Sequence, residues 1–428
     1  MMSEKILFQS ARLIDPSQKK DDVVDILVVD GTIESIKSNI SPGSDVKVVS
    51  LKDKVAAPGF IDIHVHLREP GFEHKETIET GTLSAAHGGF TAVCCMPNTN
   101  PAIDDESIVT FVKTQGLKAH QGIVDVYPIG AVSKNREGKS LAPIAELIQA
   151  GAVGLSDDGA PVFDSLVMRR ALEYAKMYNI PVMQHCEIPE LAHGGVMNEG
   201  RVSTELGLPG IPGVAEEIMI ARDLILSEYT NARYHVCHMS TAQAVDLVRQ
   251  GKHKGIKVTS EVTPHHFTLT DDIVRSYDTN TKMNPPLRTK TDVEAMKQGL
   301  KDGTIDVIAT DHAPHSLDEK EVDYIQAPFG IVGLETAIGL SILELVEQKY
   351  LTLSQLVEKF STNPRKIIGK EIIVREGEKA NLTFFDPIIQ WKVEIAKFKS
   401  KSKNSPFNGR PLKGKAVGIY NHGKLMLY

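Results

Sequence analysis

Residues 57–369 repeat one pattern eight times: a short apolar segment, a polar loop, and a segment whose apolar residues have helical spacing. Strands that are each followed by a helix belong in a parallel sheet, because parallel neighbours need a crossover connection. Eight such units close into a barrel. The sequence therefore predicts an α/β fold with a (β/α)8 TIM-type barrel, whose strands lie at 60–67, 91–96, 124–131, 152–156, 180–184, 233–237, 257–262 and 305–310.

The two ends of the chain have a different pattern. Residues 1–56 and 370–428 contain short strand-like segments, with turn signals at Asp30-Gly31 and at Asn421-His422-Gly423. Neither end can bury a core alone, so we expect both to join in one small β-sandwich domain. The predicted domains are thus a β domain of residues 1–56 and 370–428 and a barrel domain of residues 57–369.

Composition and charge narrow the classes of function. The net charge is −7, so nucleic acid is not an expected partner, and the basic cluster from Lys397 to Lys403 is interpreted as a solvated loop. No apolar run reaches 18 residues and no signal-peptide pattern opens the chain, so we expect neither a membrane segment nor export. Four cysteines without Cys-x-x-Cys spacing fit a reducing cytoplasm.

The residues at the predicted strand ends indicate the chemistry, because the active sites of barrels lie at the carboxyl ends of their strands. His64 and His66 lie two residues apart on the first strand, so both imidazoles face the same side. Four later strands end in further candidates, namely Asp157, Asp158, His185, His238 and Asp311. Each has a structural explanation by itself, as a core histidine or a turn residue. Together they suit a pair of hydrolytic divalent ions joined by a carboxylate, and strand alternation leaves open which of Asp157 and Asp158 forms the bridge.

The other histidines are not predicted as ligands. Six are scattered in helices or loops and are interpreted as structural: His74, His87, His120, His193, His253 and His422. His235 points away from the strand end, and His265 and His266 are ambiguous.

With these motifs in place, the chain resembles the bacterial dihydroorotases of the amidohydrolase superfamily (the class I type) over nearly its whole length. The segments DIHVHLREPG (62–71) and ATDHAPHSLDEK (309–320) resemble the two signatures of that family. Further blocks are similar as well, in the same order: MPNTNP, SDDG, HCE, HVCHMST, EVTPHH, KMNPPLR and APFGIVGLET.

The resemblance implies an enzyme that reversibly closes N-carbamoyl-L-aspartate to dihydroorotate in de novo pyrimidine biosynthesis, with a zinc-activated hydroxide and Asp311 as acid and base. It implies one or two Zn²⁺ ions per subunit, with two expected. The implied ligands are His64, His66 and Asp311 for one ion, His185 and His238 for the other, and Asp158 as the bridge. Many members of the superfamily use a carboxylated lysine there, where this chain has GLSDDG.

The resemblance also assigns the substrate contacts. It implies that Arg68, Asn98 and His315 hold the substrate carboxylate, and that Asn284 and the backbone at Phe329 and Gly330 contact the ring. Members of the family are commonly dimers, so we expect a homodimer, and the sequence leaves open whether the chain also docks to aspartate transcarbamoylase.

Two groups of alternatives remain at this point. Dihydropyrimidinase, hydantoinase and allantoinase open similar cyclic amides but need no group for a ring carboxylate, so Arg68 favours dihydroorotate over their substrates. A catalytically silent homologue that acts as a scaffold for aspartate transcarbamoylase would lose metal ligands, whereas this chain retains all of them.

Overall fold

The computed structural model describes residues 4–428, so residues 1–3 of the predicted β domain lie outside the described range. Its strands are β1 (Lys5–Asp15), β2 (Lys20–Val29), β3 (Thr32–Lys37), β4 (Lys47–Ser50), β5 (Val55–Pro58), β6 (Phe60–Val65), β7 (Phe90–Cys95), β8 (Asp125–Pro128), β9 (Val182–Gln184), β10 (Met197–Asn198), β11 (Gly210–Ile211), β12 (Tyr234–Val236), β13 (Val258–Val262), β14 (Val307–Ile308), β15 (Leu382–Lys392), β16 (Pro411–Asn421) and β17 (Lys424–Leu427).

The α-helices lie mainly between the barrel strands. They are α1 (Ile78–His87), α2 (Glu106–Lys118), α3 (Ile144–Ala150), α4 (Ser165–Met177), α5 (Pro189–Ala192), α6 (Arg201–Leu206), α7 (Val214–Thr230), α8 (Ala242–His253), α9 (Lys290–Asp302), α10 (Leu317–Lys320), α11 (Ala337–Ser341), α12 (Leu353–Val357) and α13 (Asn363–Ile367). Within the range that the structure covers, no helix is both long and apolar enough to cross a membrane.

Seven of the strands, together with the single residue Leu155 at the fourth strand position, form a closed parallel barrel. Strands β6, β7 and β8 pair in chain order, as do β9, β12, β13 and β14. Leu155 joins the two halves through bridges to Gly130 and Val182, and His312 closes the barrel through a bridge to Val65. The predicted barrel is therefore confirmed.

The fourth barrel position is shorter than predicted. The sequence predicts a strand at 152–156, but both bridges to the neighbouring strand positions, at Gly130 and Val182, are made by Leu155. Pro128 ends β8 on one side and Pro181 precedes β9 on the other, and a proline has no N–H with which to extend a ladder.

The predicted terminal β domain is also confirmed. Both ends of the chain contribute to one eight-stranded sheet in the order β17-β16-β15-β5-β1-β2-β3, with β4 paired to β1. Its core is a separate apolar cluster that includes Phe8, Phe384 and Tyr420, which pack ring against ring. The turns at Gly31 and Gly423 have φ of +76° and +74°, a conformation that glycine adopts without steric cost. The limits 1–56, 57–369 and 370–428 stay a prediction.

Apolar side chains cover both faces of the barrel wall and form two layers. One fills its interior and includes Ile61, Ile63, Met183 and Ala309. The other packs the outward side chains of the strands against the helices. A cluster of histidine and aspartate side chains lies at the carboxyl end of the strands, above the interior layer.

Candidate active site

A bulge in β6 orients the side chains of His64 and His66. The pairing of β6 with β7 shifts register between Asp62 and Val65, so that three residues on β6 span two on β7. Such a bulge changes which side of the strand the following residues face. Ile61 and Ile63 therefore fill the barrel interior, while Val65 packs outward and His64 and His66 turn to the open end. Their ring centroids lie 5.5 Å apart.

Asp158 lies at the centre of the histidine cluster. Its Oδ1 is 3.3 Å from His64 Nε2, 3.5 Å from His238 Nε2 and 3.9 Å from His185 Nδ1. Its Oδ2 is 3.4 Å from His66 Nε2. One carboxylate thus faces four imidazoles, which is the position that a bridge between two metal ions requires.

Asp157 has a different environment. Its Oδ1 accepts hydrogen bonds from the backbone N–H groups of Val132 (2.8 Å) and Ser133 (3.0 Å), and its Oδ2 accepts one from the Ser133 hydroxyl. Both oxygens therefore hold the loop after β8, and the two aspartates that the sequence left open have separate roles.

Asp311, His185 and His238 complete the cluster. Asp311 Oδ1 is 2.9 Å from His66 Nε2 and 3.6 Å from His64 Nε2, and His185 Nδ1 is 3.0 Å from His238 Nε2. Asp311 and His238 have φ of +49° and +31°, a conformation that non-glycine residues rarely adopt and that costs free energy. Burial opposes ionisation of Asp311, but the hydrogen bond from His66 and the nearby imidazoles hold its pKa well below its usual range.

The donor atoms of the cluster fit divalent metal ions. His64 with His66 and Asp311, and His64 with Asp158 and His238, each bring three ligand atoms within 4.8 Å of one another. Three buried atoms in these groups have no hydrogen-bond partner among the described residues: His64 Nε2, Asp158 Oδ1 and His238 Nδ1. Unpaired buried polar atoms are costly, and His64 Nε2 and Asp158 Oδ1 face each other at 3.3 Å, so a cation bound by both atoms explains their arrangement. A mixture of imidazole and carboxylate donors is typical of hydrolytic zinc sites.

A cavity of about 330 Å³ opens above this cluster. It is lined by His66, Arg68, Asn98, Asp158, Gly159, His185, His238, Asn284, Asp311, Ala313, His315, Pro328, Phe329 and Gly330. Apart from the fully buried His64, every residue of the ligand and substrate-contact sets implied by the resemblance therefore lines one cavity, whereas the alternative bridge Asp157 does not. A larger cavity of about 680 Å³ lies at the other end of the barrel, against the terminal sheet, but no group of three metal-ligating side chains within residues 4–428 lies there.

Arg68 brings a buried positive charge to the rim of the smaller cavity. Its Nε donates to the carbonyl of Pro314 (3.1 Å), and one Nη lies 3.4 Å from His315 Nε2. Neither partner is an anion. Burial and the cations Arg68 and Lys320 lower the pKa of His315 to about 2, so this imidazole is neutral. This end of the cavity therefore suits an anionic ligand group.

Two predicted substrate contacts also support neighbouring side chains. Asn98 Oδ1 is 2.7 Å from His66 Nδ1, and Asn284 Nδ2 donates to Glu187 Oε2 at 2.9 Å. His315 Nε2 donates to the carbonyl of Phe329 at 2.8 Å. Asn98 thus holds the His66 ring so that its Nε2 faces the cluster.

Sequence reasoning missed two residues near the cavity. Glu261 on β13 is fully buried and lies 2.5 Å from His64 Nδ1. Asn404 belongs to the segment after β15; it donates to the carbonyls of Ala313 and Gly330 and accepts from the N–H of His315. A carboxyl group among the apolar residues of a predicted strand was the available signal for Glu261, whereas no motif marked Asn404. In the basic cluster preceding Asn404, the exposed Lys397, Lys399 and Lys401 alternate with buried Phe398, Ser400 and Ser402, and Lys403 is half-buried.

Comparisons with known proteins agree with this geometry. The family model described as "Dihydro-orotase-like" matches residues 53–244. The dihydroorotase of Pelotomaculum thermopropionicum is 51% identical over 411 residues, which cover 96% of this chain and 95% of that protein. The dihydroorotase of Acetivibrio thermocellus is 50% identical over 423 residues, or 99% of each chain.

Among solved structures, an L-hydantoinase (dihydropyrimidinase) from Arthrobacter aurescens superposes with a TM-score of 0.85 at 25% identity, covering 100% of this chain and 96% of the other. A dihydropyrimidinase from Brevibacillus agri has a TM-score of 0.84 at 21% identity, covering 100% and 95%; at that identity only the fold is comparable. Half of the residues are identical to those of the two dihydroorotases along almost the entire length, and on that ground this chain belongs to the dihydroorotase family.

Proposed function

We propose that this protein is a dihydroorotase, which closes N-carbamoyl-L-aspartate to (S)-dihydroorotate with loss of water and opens the ring in the reverse direction. The observation that carries the proposal is one cavity with a buried His/Asp cluster at its base and, at its rim, Arg68, whose guanidinium hydrogen-bonds the carbonyl of Pro314 and forms no ion pair within residues 4–428. The first feature suits amide hydrolysis, and the second suits a substrate that carries a carboxylate.

We assign the metal ligands as the resemblance to the family implies, and the short distances within the cluster support this set. His64, His66 and Asp311 would hold one zinc ion, His185 and His238 the other, and Asp158 would lie between the two. When bound, the two ions would polarise the amide carbonyl and lower the pKa of a water molecule. Zinc is preferred because of the donor set, and two ions per subunit are expected.

Asp311 is the residue that we assign to proton transfer. It lines the cavity, and its Oδ1 is engaged by His66. In ring opening, Asp311 takes the proton of the attacking water and delivers it to the ring nitrogen as the C–N bond breaks. In ring closure, it takes a proton from the carbamoyl nitrogen as that nitrogen attacks the carboxyl carbon, and it delivers this proton to the departing hydroxyl group, which leaves as water as the C–O bond breaks.

The remaining lining residues orient the substrate. Arg68 presents a planar fork that pairs with a carboxylate through two hydrogen bonds. Asn98 and His315 would complete this carboxylate site. Asn284 and the backbone at Phe329 and Gly330 would contact the ring.

Ring opening of dihydroorotate, compared with hydantoin and dihydrouracil, tests the proposal. We expect zinc-loaded enzyme to turn over dihydroorotate, and an Arg68→Met variant to lose that activity selectively. A parent enzyme that carries two metal ions and opens dihydrouracil but not dihydroorotate would instead assign this site to the pyrimidinase and hydantoinase reactions.

The protein is proposed to act as a homodimer through one apolar face. Nine of the 21 large hydrophobic side chains that are exposed in residues 4–428 lie on or beside α4 and α7, which pack side by side: Phe163, Leu166, Tyr174, Met177, Tyr178, Val214, Ile218, Ile225 and Tyr229. At roughly 200 Å² for a large side chain about half exposed, they present roughly 900 Å². A stable interface needs about 800 Å² from each partner.

Charges at the edge of this face agree with a second copy as the partner. Arg170 and Lys176 lie on α4, and Glu217 and Glu228 lie on α7, so α4 of one subunit complements α7 of the other across a two-fold axis. Light scattering should give a dimer for the parent and a monomer for Ile225→Asp, whereas Leu117→Asp, a control at another exposed apolar residue, should remain dimeric. A monomeric parent would refute this interface.

Two further predictions come from the resemblance to the family. We expect the protein to act in the cytoplasm and to associate with an aspartate transcarbamoylase. Co-purification with that enzyme from the native cell, at stoichiometric amounts, would support the association; its absence at physiological concentrations would contradict it.

A further inference from the structure

A buried carboxylate links the two halves of the proposed metal centre. Glu261 is on β13, and its side chain has no exposed surface. Its Oε1 lies 2.5 Å from His64 Nδ1 and accepts the backbone N–H of His238 at 3.3 Å. Its Oε2 lies 3.0 Å from His235 Nε2. One side chain therefore contacts the first histidine of β6 and the histidine that follows β12.

The contact with His64 defines which ring nitrogen faces the cluster. Because a carboxylate accepts hydrogen bonds, Nδ1 of His64 carries the proton and donates it to Glu261. Nε2 is then left with its lone pair, and that atom is one of the buried atoms without a partner. Carboxylate–histidine pairs of this kind fix the ring orientation and raise the basicity of the ligating nitrogen.

The contact with His238 acts through the backbone. His238 has φ of +31°, so its peptide needs support in a conformation that costs free energy. The hydrogen bond from its N–H to Glu261 supplies that support, together with the backbone hydrogen bond from Met239 N–H to the Glu261 carbonyl at 3.0 Å.

A second buried histidine holds Glu261 itself. His235 is fully buried, and its Nδ1 lies 2.8 Å from the Thr259 hydroxyl while its Nε2 faces Glu261. The series Thr259–His235–Glu261–His64 thus runs across β12, β13 and β6. This series explains why a histidine that is not a candidate ligand lies in the barrel interior.

We propose that Glu261, held by His235, is a positioning residue that couples the two metal sites, because it orients the His64 ring and the His238 backbone together. This inference rests on the proposed metal-dependent function. It goes beyond the ligand set, since it assigns the affinity of both ions to a side chain that touches neither.

Metal binding is the readout that distinguishes this role from general structural support. We would prepare apoprotein of the parent, Glu261→Gln and Glu261→Ala, and measure zinc affinity and stoichiometry by competition with a chelator. Gln keeps an acceptor for His64 and should weaken both sites about tenfold, while Ala should weaken both about a hundredfold. Cobalt-loaded samples should show altered visible absorption in both variants, because the ligand geometry changes.

Asp223→Asn is the matched control. Asp223 has the same full burial, but its carboxylate contacts Arg222 and Tyr234 and no proposed ligand. This variant should lower the melting temperature of the apoprotein while zinc affinity and the cobalt spectrum stay unchanged.

The inference is overturned if both Glu261 variants bind two zinc ions within twofold of the parent affinity, or if only one site weakens in both. Its failure is separable from failure of the proposed function. A parent that binds two ions without turning over dihydroorotate would refute the function and still decide the role of Glu261, because affinity and spectrum are read without substrate.

Discussion

The sharpest consequence of the site geometry concerns the two neighbouring aspartates. Asp158 faces four imidazoles with nitrogen–oxygen distances of 3.3–3.9 Å, whereas both oxygens of Asp157 are occupied by Val132 and Ser133. We expect Asp158→Asn to remove the negative charge that the bridge requires. If this change removes about 4 kcal/mol of transition-state stabilisation, the rate of dihydroorotate ring opening should fall about a thousandfold.

Asp157→Asn should behave in the opposite way. The asparagine oxygen can still accept the two backbone hydrogen bonds, and its amide can donate to the Ser133 hydroxyl, so the cost is about 1 kcal/mol of stability from replacing charged by neutral hydrogen bonds. Metal content and turnover should remain close to those of the parent.

Both variants can be followed by elemental analysis of zinc per chain after dialysis and by ultraviolet absorbance during dihydroorotate ring opening. We expect at most one zinc ion in Asp158→Asn and two in Asp157→Asn. The assignment would be refuted if Asp158→Asn retained two ions and activity within tenfold of the parent, or if Asp157→Asn were the variant that lost metal.

Two further predictions concern the substrate carboxylate and the pH dependence of stability. Arg68→Lys keeps the charge but loses the two-pronged contact, so KM for dihydroorotate should rise tenfold to a hundredfold with zinc content unchanged; an unaltered KM would exclude Arg68 as the carboxylate contact. His87 stacks on Tyr428 with centroids 4.1 Å apart, and burial, with Lys399 and Lys415, lowers its pKa to about 4. The unfolded chain therefore binds this proton more tightly, and parent stability falls as pH drops from about 6.5 towards 4. His87→Phe keeps the stacked ring, and it should remove about 1 kcal/mol of that loss of stability at pH 5, after discounting for partial exposure. The melting temperatures of chelator-treated parent and variant measure this difference. Melting temperatures that fall equally in both proteins between pH 7.5 and 5 would contradict the prediction.

The alternation of short apolar strands with helical segments was sufficient to predict the barrel, and the strand-like segments at both ends of the chain were sufficient to predict the terminal β domain. The alternation also placed His64, His66, His185, His238 and Asp311 at one end of the barrel, since parallel strands bring their carboxyl ends together. It could not show how His64 reaches the open end. Ile61 and Ile63 face the interior, whereas Val65 packs outward after the register shift that follows Asp62, and a bulge has no reliable signature in the sequence of one strand.

Long-range contacts account for the other residues that were missed. Glu261 has a role only because β13 lies beside β12 and is separated from β6 by β14 alone, and Asn404 approaches His315 across 89 residues of sequence. The choice between Asp157 and Asp158 likewise depends on the loop after β8, whose N–H groups attract one aspartate and leave the other to the histidines. Contacts of this kind are determined by tertiary packing and not by local sequence.

The central claim is that metal ions and Asp311 act together on dihydroorotate in this cavity. The most direct measurement compares ring opening by the parent and by Asp311→Asn at equal, independently measured zinc content. We predict turnover in the parent and a loss of at least a thousandfold in the variant, as expected for removal of a group that is both ligand and proton carrier. Turnover in Asp311→Asn within tenfold of a parent with the same zinc content would contradict the claim.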